Sequence, residues 1–262
     1  MADAKVIEAR HGRVLELVIS NPAQRNALIP EISRALTKSL HLASHDASVG
    51  AVVLRGDGEH FCAGGNLKTL AEMRATQPPQ AVIERIGAIN ELARALRACA
   101  KPVIAAIEGH AAGAGFSIAL GCDLIVAADN AVFTLSYVKI GVNPDGGGSW
   151  LIARALPPHL ARELALTASP VDAARLSQFG VVNRVVAKGA AREAALAWAA
   201  EIASGATGAL GRTKRLLDEA GLQDLSRHLE RERELFAESF YGPEGGEGVD
   251  AFLAKRKADF HK

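Results

Sequence analysis

Ile107-Glu-Gly-His-Ala-Ala-Gly-Ala-Gly-Phe-Ser-Ile-Ala-Leu120 is the stretch on which the fold turns. Val103 to Ile107 is an apolar run of strand length, Gly109 and Gly113 bracket a turn, and Gly115 to Leu120 carries apolar residues at helical spacing. The spacing therefore predicts a strand, a tight glycine turn and a helix. The first amides of such a helix point outward without partners, and the helix dipole adds partial positive charge. An anion or a developing oxyanion can be held there. A second turn of this kind is expected earlier, where Ala63, Gly64 and Gly65 follow the strand-like run Ala51 to Leu54 and precede a helical pattern. Two amide turns facing one oxygen atom are what acyl transfer or enolate formation needs. Glycine turns also serve plain chain reversal, so each run alone carries either reading.

Outward from this centre, Val14 to Ile19 reads as a strand and Asn21-Pro22 as a turn. Pro30 opens a helix whose Ile32, Leu36 and Leu40 form one apolar stripe. Val82 to Leu96 is a long amphipathic helix ending before Lys101-Pro102. Leu124 to Ala127, Val132 to Leu135 and Val181 to Val186 are short strands, and Ala190 to Ile202 is an alanine-rich helix. The last sixty or so residues read as helical. There Gly242-Pro-Glu-Gly-Gly-Glu-Gly248 is expected to separate a charged helix over Asp224 to Phe240 from a final one over Val249 to Phe260. An α/β class follows, with a strand-and-helix core over residues 1–200 and a helical appendage over 201–262.

The 262 residues suffice for a substantial core, and 49% hydrophobic with 23% charged residues is ordinary globular composition. A net charge of +1 gives no reason to expect nucleic acid or an anionic membrane as partner. Cys62, Cys99 and Cys122 lack metal-ligand spacing, and their odd number suits reduced thiols in the cytoplasm. No run of about 18 apolar residues occurs, and the short charged N-terminus reads as neither leader nor anchor. The run Glu230 to Glu234 reads as a solvated helix face.

Several motifs in order resemble the crotonase superfamily, the enoyl-CoA hydratases and isomerases, over essentially the full length. They are Asn21-Pro22 with Asn26-Ala-Leu28, Phe61-Cys-Ala-Gly64, Lys101 to Gly113, Cys122-Asp-Leu-Ile-Val-Ala127 and Glu247 to Arg256. The resemblance implies a ββα superhelix with a helical C-terminal trimerisation region, trimers that pair into hexamers, and acyl-CoA thioester substrates. It places the two oxyanion-holding N–H groups at Gly65 and Ala114, provided that Ala114 has negative φ. It also implies CoA-binding contacts from Gln24, Arg25, Ala27, Ala63, Gly64, Asn66, Leu67 and Lys68, with Phe252 and Lys255 supplied by a neighbouring subunit. Lys255, Arg256 and Lys257 read equally as solvated charges.

Departures from the family pattern redirect the chemistry. The two glutamates of family hydratases fall at Ser117 and Tyr137, and a serine and a tyrosine are poor substitutes for carboxylates that activate water and protonate carbon. Asp145, in Asn-Pro-Asp-Gly-Gly-Gly148, matches the acid/base position of the dienoyl-CoA isomerases and of the ring-opening epoxide isomerases, the latter being the nearer in spacing. The same position is the nucleophile of a related aryl-CoA dehalogenase. Asp145 also fits an Asx turn or a helix N-cap, and Tyr137 either closes the acyl pocket with its hydroxyl as donor or is ordinary core. Glu108 and Asp123 read as structural carboxylates, His110 as a bystander and Cys62 as packing. The expectation is an acyl-CoA isomerase with one Asp acid/base, no metal or redox cofactor, and CoA only as part of the substrate. Hydratase activity, aryl- or acyl-CoA hydrolysis, and a non-catalytic CoA- or RNA-binding role are the alternatives.

Overall fold

The computed structural model describes residues 4–261. The chain runs β1 (Lys5–His11), β2 (Val14–Ser20), a 3-10 turn at Pro22–Gln24, α1 (Pro30–His45), β3 (Ala51–Gly56), α2 (Leu67–Thr76) and α3 (Pro79–Ala98). It continues through β4 (Val103–Ile107), β5 (His110–Ala112), α4 (Ala114–Gly121), β6 (Leu124–Ala128), β7 (Val132–Thr134), a 3-10 turn at Ser136–Ile140, α5 (Gly148–Ala155) and α6 (Pro158–Thr167). It closes with β8 (Val171–Asp172), α7 (Ala173–Gln178), β9 (Arg184–Val186), α8 (Ala191–Ala203), α9 (Thr207–Ala220), α10 (Leu225–Tyr241) and α11 (Pro243–Leu253).

Strands segregate into a six-stranded sheet ordered β1-β2-β3-β4-β6-β9 and a small sheet ordered β5-β7-β8. Successive strand pairs, β4 with β5 and β6 with β7, each send the first strand to the large sheet and the second to the small one before a helix follows. This is the ββα superhelix that the resemblance implied. In the large sheet only β1 is antiparallel to its neighbour.

Central parallel strands are covered on both faces, which is why their sequences are near-continuous apolar runs. Leu15, Leu17, Val52, Leu54, Val103 and Ala105 face a core closed by Leu36 and Leu40 of α1, Leu92 and Leu96 of α3, and Phe116 of α4. Each fully buried leucine contributes about 1.5–3 kcal/mol. The alternate residues Val14, Ala51, Val53, Ile104 and Val126 meet Ala191, Ala195, Ala199 and Ala203, one small residue per turn of α8. Alanine lets this helix lie close: a Cβ on Gly50 would stand 2.7 Å from that of Ala203. At the other end of α8, Glu16, 1% exposed, accepts from Arg192 and Arg55 at 2.6 Å and pairs with His11 at 2.8 Å. These partners hold its carboxyl down at about 2 against partial desolvation.

Only Gly242 separates the two helices: Pro243 to Gly248 lie inside α11, and that helix stops at Leu253 rather than near Phe260. Pro243 supplies a pre-set first turn, and Gly245 is needed because a Cβ there would lie 2.2 Å from Ser239 O of α10. Packing thus overrides the low helix propensity of glycine. Within this region Glu244 accepts from the Gly208 and Ala209 amides at 2.9 and 3.0 Å, capping α9. Helix α9 docks on the core through Lys214, which bonds Asp123 at 2.8 Å and Leu96 O at 2.9 Å.

Candidate active site

The first amide turn is built by asparagines. Asn26, fully buried with φ 57°, donates to Asp57 O at 2.9 Å and His60 O at 2.7 Å, and its Oδ1 accepts from Asn21 N. This ties the loop after β2 to the loop after β3. Ala63 N then bonds Arg25 O, and Leu28 N bonds Gly64 O. Asn66 caps α2 by accepting from the Lys68 and Thr69 amides and donates to Gln24 at 2.9 Å. Gln24, Arg25, Ala27, Ala63, Gly64, Gly65 and Asn66 are thereby gathered into one stitched cluster in which Ala27 and Gly64 are buried, with Leu67 and Lys68 exposed at the start of α2.

The second turn meets the first directly. Cys62 bridges Ala111, with Cys62 N on His110 O at 3.1 Å and Ala112 N on Cys62 O at 2.9 Å. A Cβ on Gly64 would stand 2.6 Å from Ala112 O and 3.0 Å from Ala114 N, so only glycine lets the two turns abut. Gly113, at φ 52° and ψ −125°, takes a backbone that L-residues avoid and opens α4 at Ala114. Ala114 is the first helical residue and is not one of the four non-glycine residues with positive φ among the described residues, so the condition on its backbone is met. Neither the Gly65 nor the Ala114 N–H donates a hydrogen bond among the described residues. Two free, adjacent amides, one at the positive end of a wholly buried helix, can bind an oxyanion.

Beside them lies a hydroxyl–carboxyl chain. The Tyr137 hydroxyl donates to Asp145 Oδ1 at 2.6 Å and lies 3.1 Å from Ser117 Oγ. Ser117 in turn bonds Gly113 O at 3.4 Å, and a Cβ on Gly113 would sit 3.9 Å from Tyr137 Cζ. Residues from α4, the 3-10 turn and the loop before α5 thus converge next to the Ala114 amide. Asp145 is not a helix cap: Gly147 occupies the N-cap of α5, no side chain caps that helix, and the Asp145 carboxylate is engaged by Tyr137. Desolvation raises the Asp145 carboxyl above the ordinary carboxylate range, opposed by the Tyr137 bond and by the charge of Arg85. Burial likewise pushes the Tyr137 phenol up, so it remains a proton donor. The Tyr137 ring is 9% exposed and belongs to the core, while its hydroxyl is spent on Asp145 and Ser117.

Other residues take structural roles. Glu108 accepts from Gly189 and Ala191 amides at the start of α8, and Asp123 accepts from Val103 N and Lys214. His110 is exposed and rests against His60. The Cys62 thiol is buried and pushed up to about 12, which leaves it protonated and inert. Phe252, 83% exposed, and Lys255, also exposed, make no hydrogen bond or ring contact with the amide turns among the described residues.

Sequence reasoning missed Arg85. It donates to Leu28 O at 2.9 Å from within α3, one turn before Ile89, and a Cβ on Gly146, next to Asp145, would stand 2.9 Å from Ile89. The available signal was a cation in the apolar stripe 85, 89, 92, 96. Ser117 was legible only as a missing glutamate.

The family described as Enoyl-CoA hydratase/isomerase matches residues 9–262. The chain is 33% identical over 263 residues to a 2,3-dehydroadipyl-CoA hydratase of Escherichia coli K12, covering 98% of each chain. It is 33% identical over 250 residues to a 1,2-epoxyphenylacetyl-CoA isomerase of the same organism, covering 94% of each. A crystal structure of an enoyl-CoA hydratase from Polaromonas sp. JS666 superposes with a TM-score of 0.95 at 43% identity, over 97% of this chain and 99% of that one.

Proposed function

The chain belongs to the enoyl-CoA hydratase/isomerase family, and from that premise we propose that it is an acyl-CoA isomerase with a two-amide oxyanion hole and Asp145 as its acid/base. The thioester oxygen accepts from the Gly65 and Ala114 N–H groups, which favours the enolate. Asp145 removes a proton next to the thioester carbonyl and returns it further along the acyl chain, moving the double bond with no net gain or loss of atoms. The observation that carries this reading is the carboxyl of Asp145, raised by burial and held by Tyr137 in a site where Ser117 and Tyr137 stand at the positions of the hydratase glutamates. A positioned base contributes about 10²–10⁴ in rate, and one oxyanion donor about 10²–10³. No cofactor is required beyond the CoA of the substrate.

Hydratase activity is the second reading, favoured by the relatives named hydratases and by a polar chain of Ser117, Tyr137 and Asp145 able to hold a water. Incubating 3-hexenoyl-CoA and crotonyl-CoA in ¹⁸O-water separates the readings by mass spectrometry. An unlabelled 2-enoyl product from the first supports isomerisation, a labelled 3-hydroxyacyl-CoA from the second supports hydration, and a labelled free acid indicates hydrolysis.

The proposal includes a homotrimer or hexamer, supported by exposed Phe236, Phe240, Tyr241 and Phe252 on α10 and α11. Sedimentation equilibrium tests it, and a monomer at micromolar concentration would sink it. A cytoplasmic setting is likewise proposed, on the three free thiols.

A further inference from the structure

Arg85 is 8% exposed, yet it makes no ion pair among the described residues, and its one hydrogen bond goes to a backbone carbonyl, Leu28 O. A guanidinium carries five N–H donors and stays charged in proteins. A cation so enclosed without a counter-ion is disfavoured, and a methionine or leucine would suit an apolar helix stripe better. Among the described residues the one sealed, partnerless side-chain polar atom is Ser33 Oγ. The unspent donors of Arg85 therefore open onto accessible space.

That space belongs to the site. Leu28, which receives the Arg85 bond, is itself bonded through its amide to Gly64 O of the first amide turn. Ile89, one turn further along the same face of α3, lies against Gly146 beside Asp145. Arg85 is thus tied through Leu28 to the oxyanion turn and shares its helix face with Ile89, which lies against the residue after the acid/base. The two carboxylates whose fields reach it are Asp145, engaged by Tyr137, and Glu31, which is exposed in the first turn of α1. Solvent screens the second.

We infer that Arg85 receives a carboxylate at the far end of the acyl chain, so that the substrates are CoA monothioesters of dicarboxylic acids. The inference rests on the acyl-CoA reading of the site and names its substrate class. Guanidinium matches carboxylate in a two-pronged geometry that lysine cannot reproduce, and the pair forms where both partners are withdrawn from water. A neutral acyl end leaves the cation unanswered.

Binding of saturated thioesters by titration calorimetry tests this. Succinyl-, adipyl- and suberyl-CoA are compared with butanoyl-, hexanoyl- and octanoyl-CoA on the full-length protein. At one chain length the dicarboxylic thioester is expected to bind tenfold or more tightly, because a charge-assisted hydrogen bond is stronger than a neutral one. Arg85→Met is expected to erase that preference while affinity for the neutral thioester falls far less. Equal affinity at every length in the wild-type protein overturns the inference without any variant. A preference that survives Arg85→Met, or an equal loss for both thioesters, overturns it too. If the methionine variant does not fold, Arg85→Gln, which keeps a donor for Leu28 O, takes its place. Saturated thioesters have no double bond to move. A missing preference therefore leaves the isomerase reading standing, and an enzyme that prefers the carboxylate but moves no double bond sinks only the latter.

Discussion

Tyr137 and Asp145, eight residues apart, share a 2.6 Å hydrogen bond in which the phenol donates to the carboxylate. Burial raises both groups, but the bond acts oppositely on them: it favours the carboxylate and makes the phenol harder to ionise. The carboxylate is therefore basic through desolvation and still held in place, the combination that a proton shuttle needs.

Replacing Asp145 by asparagine keeps the shape and an oxygen for the Tyr137 hydroxyl but removes the proton acceptor. Isomerisation is expected to fall about 10²-fold or more while acyl-CoA binding persists. The same variant carries a stability signature. A carboxyl whose folded pKa is raised favours folding only while protonated, and that contribution is lost as pH rises through the folded pKa. Asp145→Asn is thus expected to melt above the wild-type protein at pH 7, the gap closing in acid. Unchanged turnover would remove Asp145 from the chemistry.

Tyr137→Phe deletes the bond that lowers the Asp145 carboxyl. The ascending limb of kcat/KM against pH is expected to shift to higher pH, with most of the rate recovered on the alkaline side. A uniform loss at all pH values would mean that the hydroxyl acts on the substrate directly.

Proline at 114 removes one amide donor at a first helical position, where its ring is tolerated. Ala114→Pro is expected to lose about 10²–10³ in kcat with circular dichroism unchanged, whereas Ala114→Gly stays active because the N–H survives. A folded, active proline variant would dismiss the oxyanion role.

Glu16 tests the frame rather than the site. Its carboxyl is lowered from 4.5 to about 2, so its contribution is present above the unfolded pKa and lost as pH falls from about 4.5 toward 2. Glu16→Gln leaves two arginines sharing one neutral oxygen and is expected to cost about 1–3 kcal/mol at pH 7. Urea denaturation at pH 7 and pH 3 should show the deficit shrinking in acid, and a deficit independent of pH would contradict the assignment.

Most of the large sheet was legible because β2, β3, β4 and β6 are apolar runs buried on both faces. Three strands were not. β1 of the large sheet is an edge strand largely open to solvent, and β5 and β8 of the small sheet span three and two residues, too short for a period. Of the site, the two glycine turns could be read from their spacing, whereas Gly65 and Ala114 as donors and Asp145 as base came only through family resemblance. The Ser117–Tyr137–Asp145 chain could not, because its members lie on separate elements and meet only through tertiary packing. Arg85 looked like any solvated helix charge until its burial was known.

The carboxylate that caps the start of α9 belongs to Glu244, 36 residues further along the chain. During synthesis the first amides of α9 are made 36 residues before their acceptor, and an uncapped helix end is a weak one. Lys214 lies on that helix, so Asp123 waits too, its partner not yet secured. A chain stopped before Glu244 therefore carries every strand of both sheets but lacks the cap of α9, and would present chaperones with a core whose covering helix is not yet fixed.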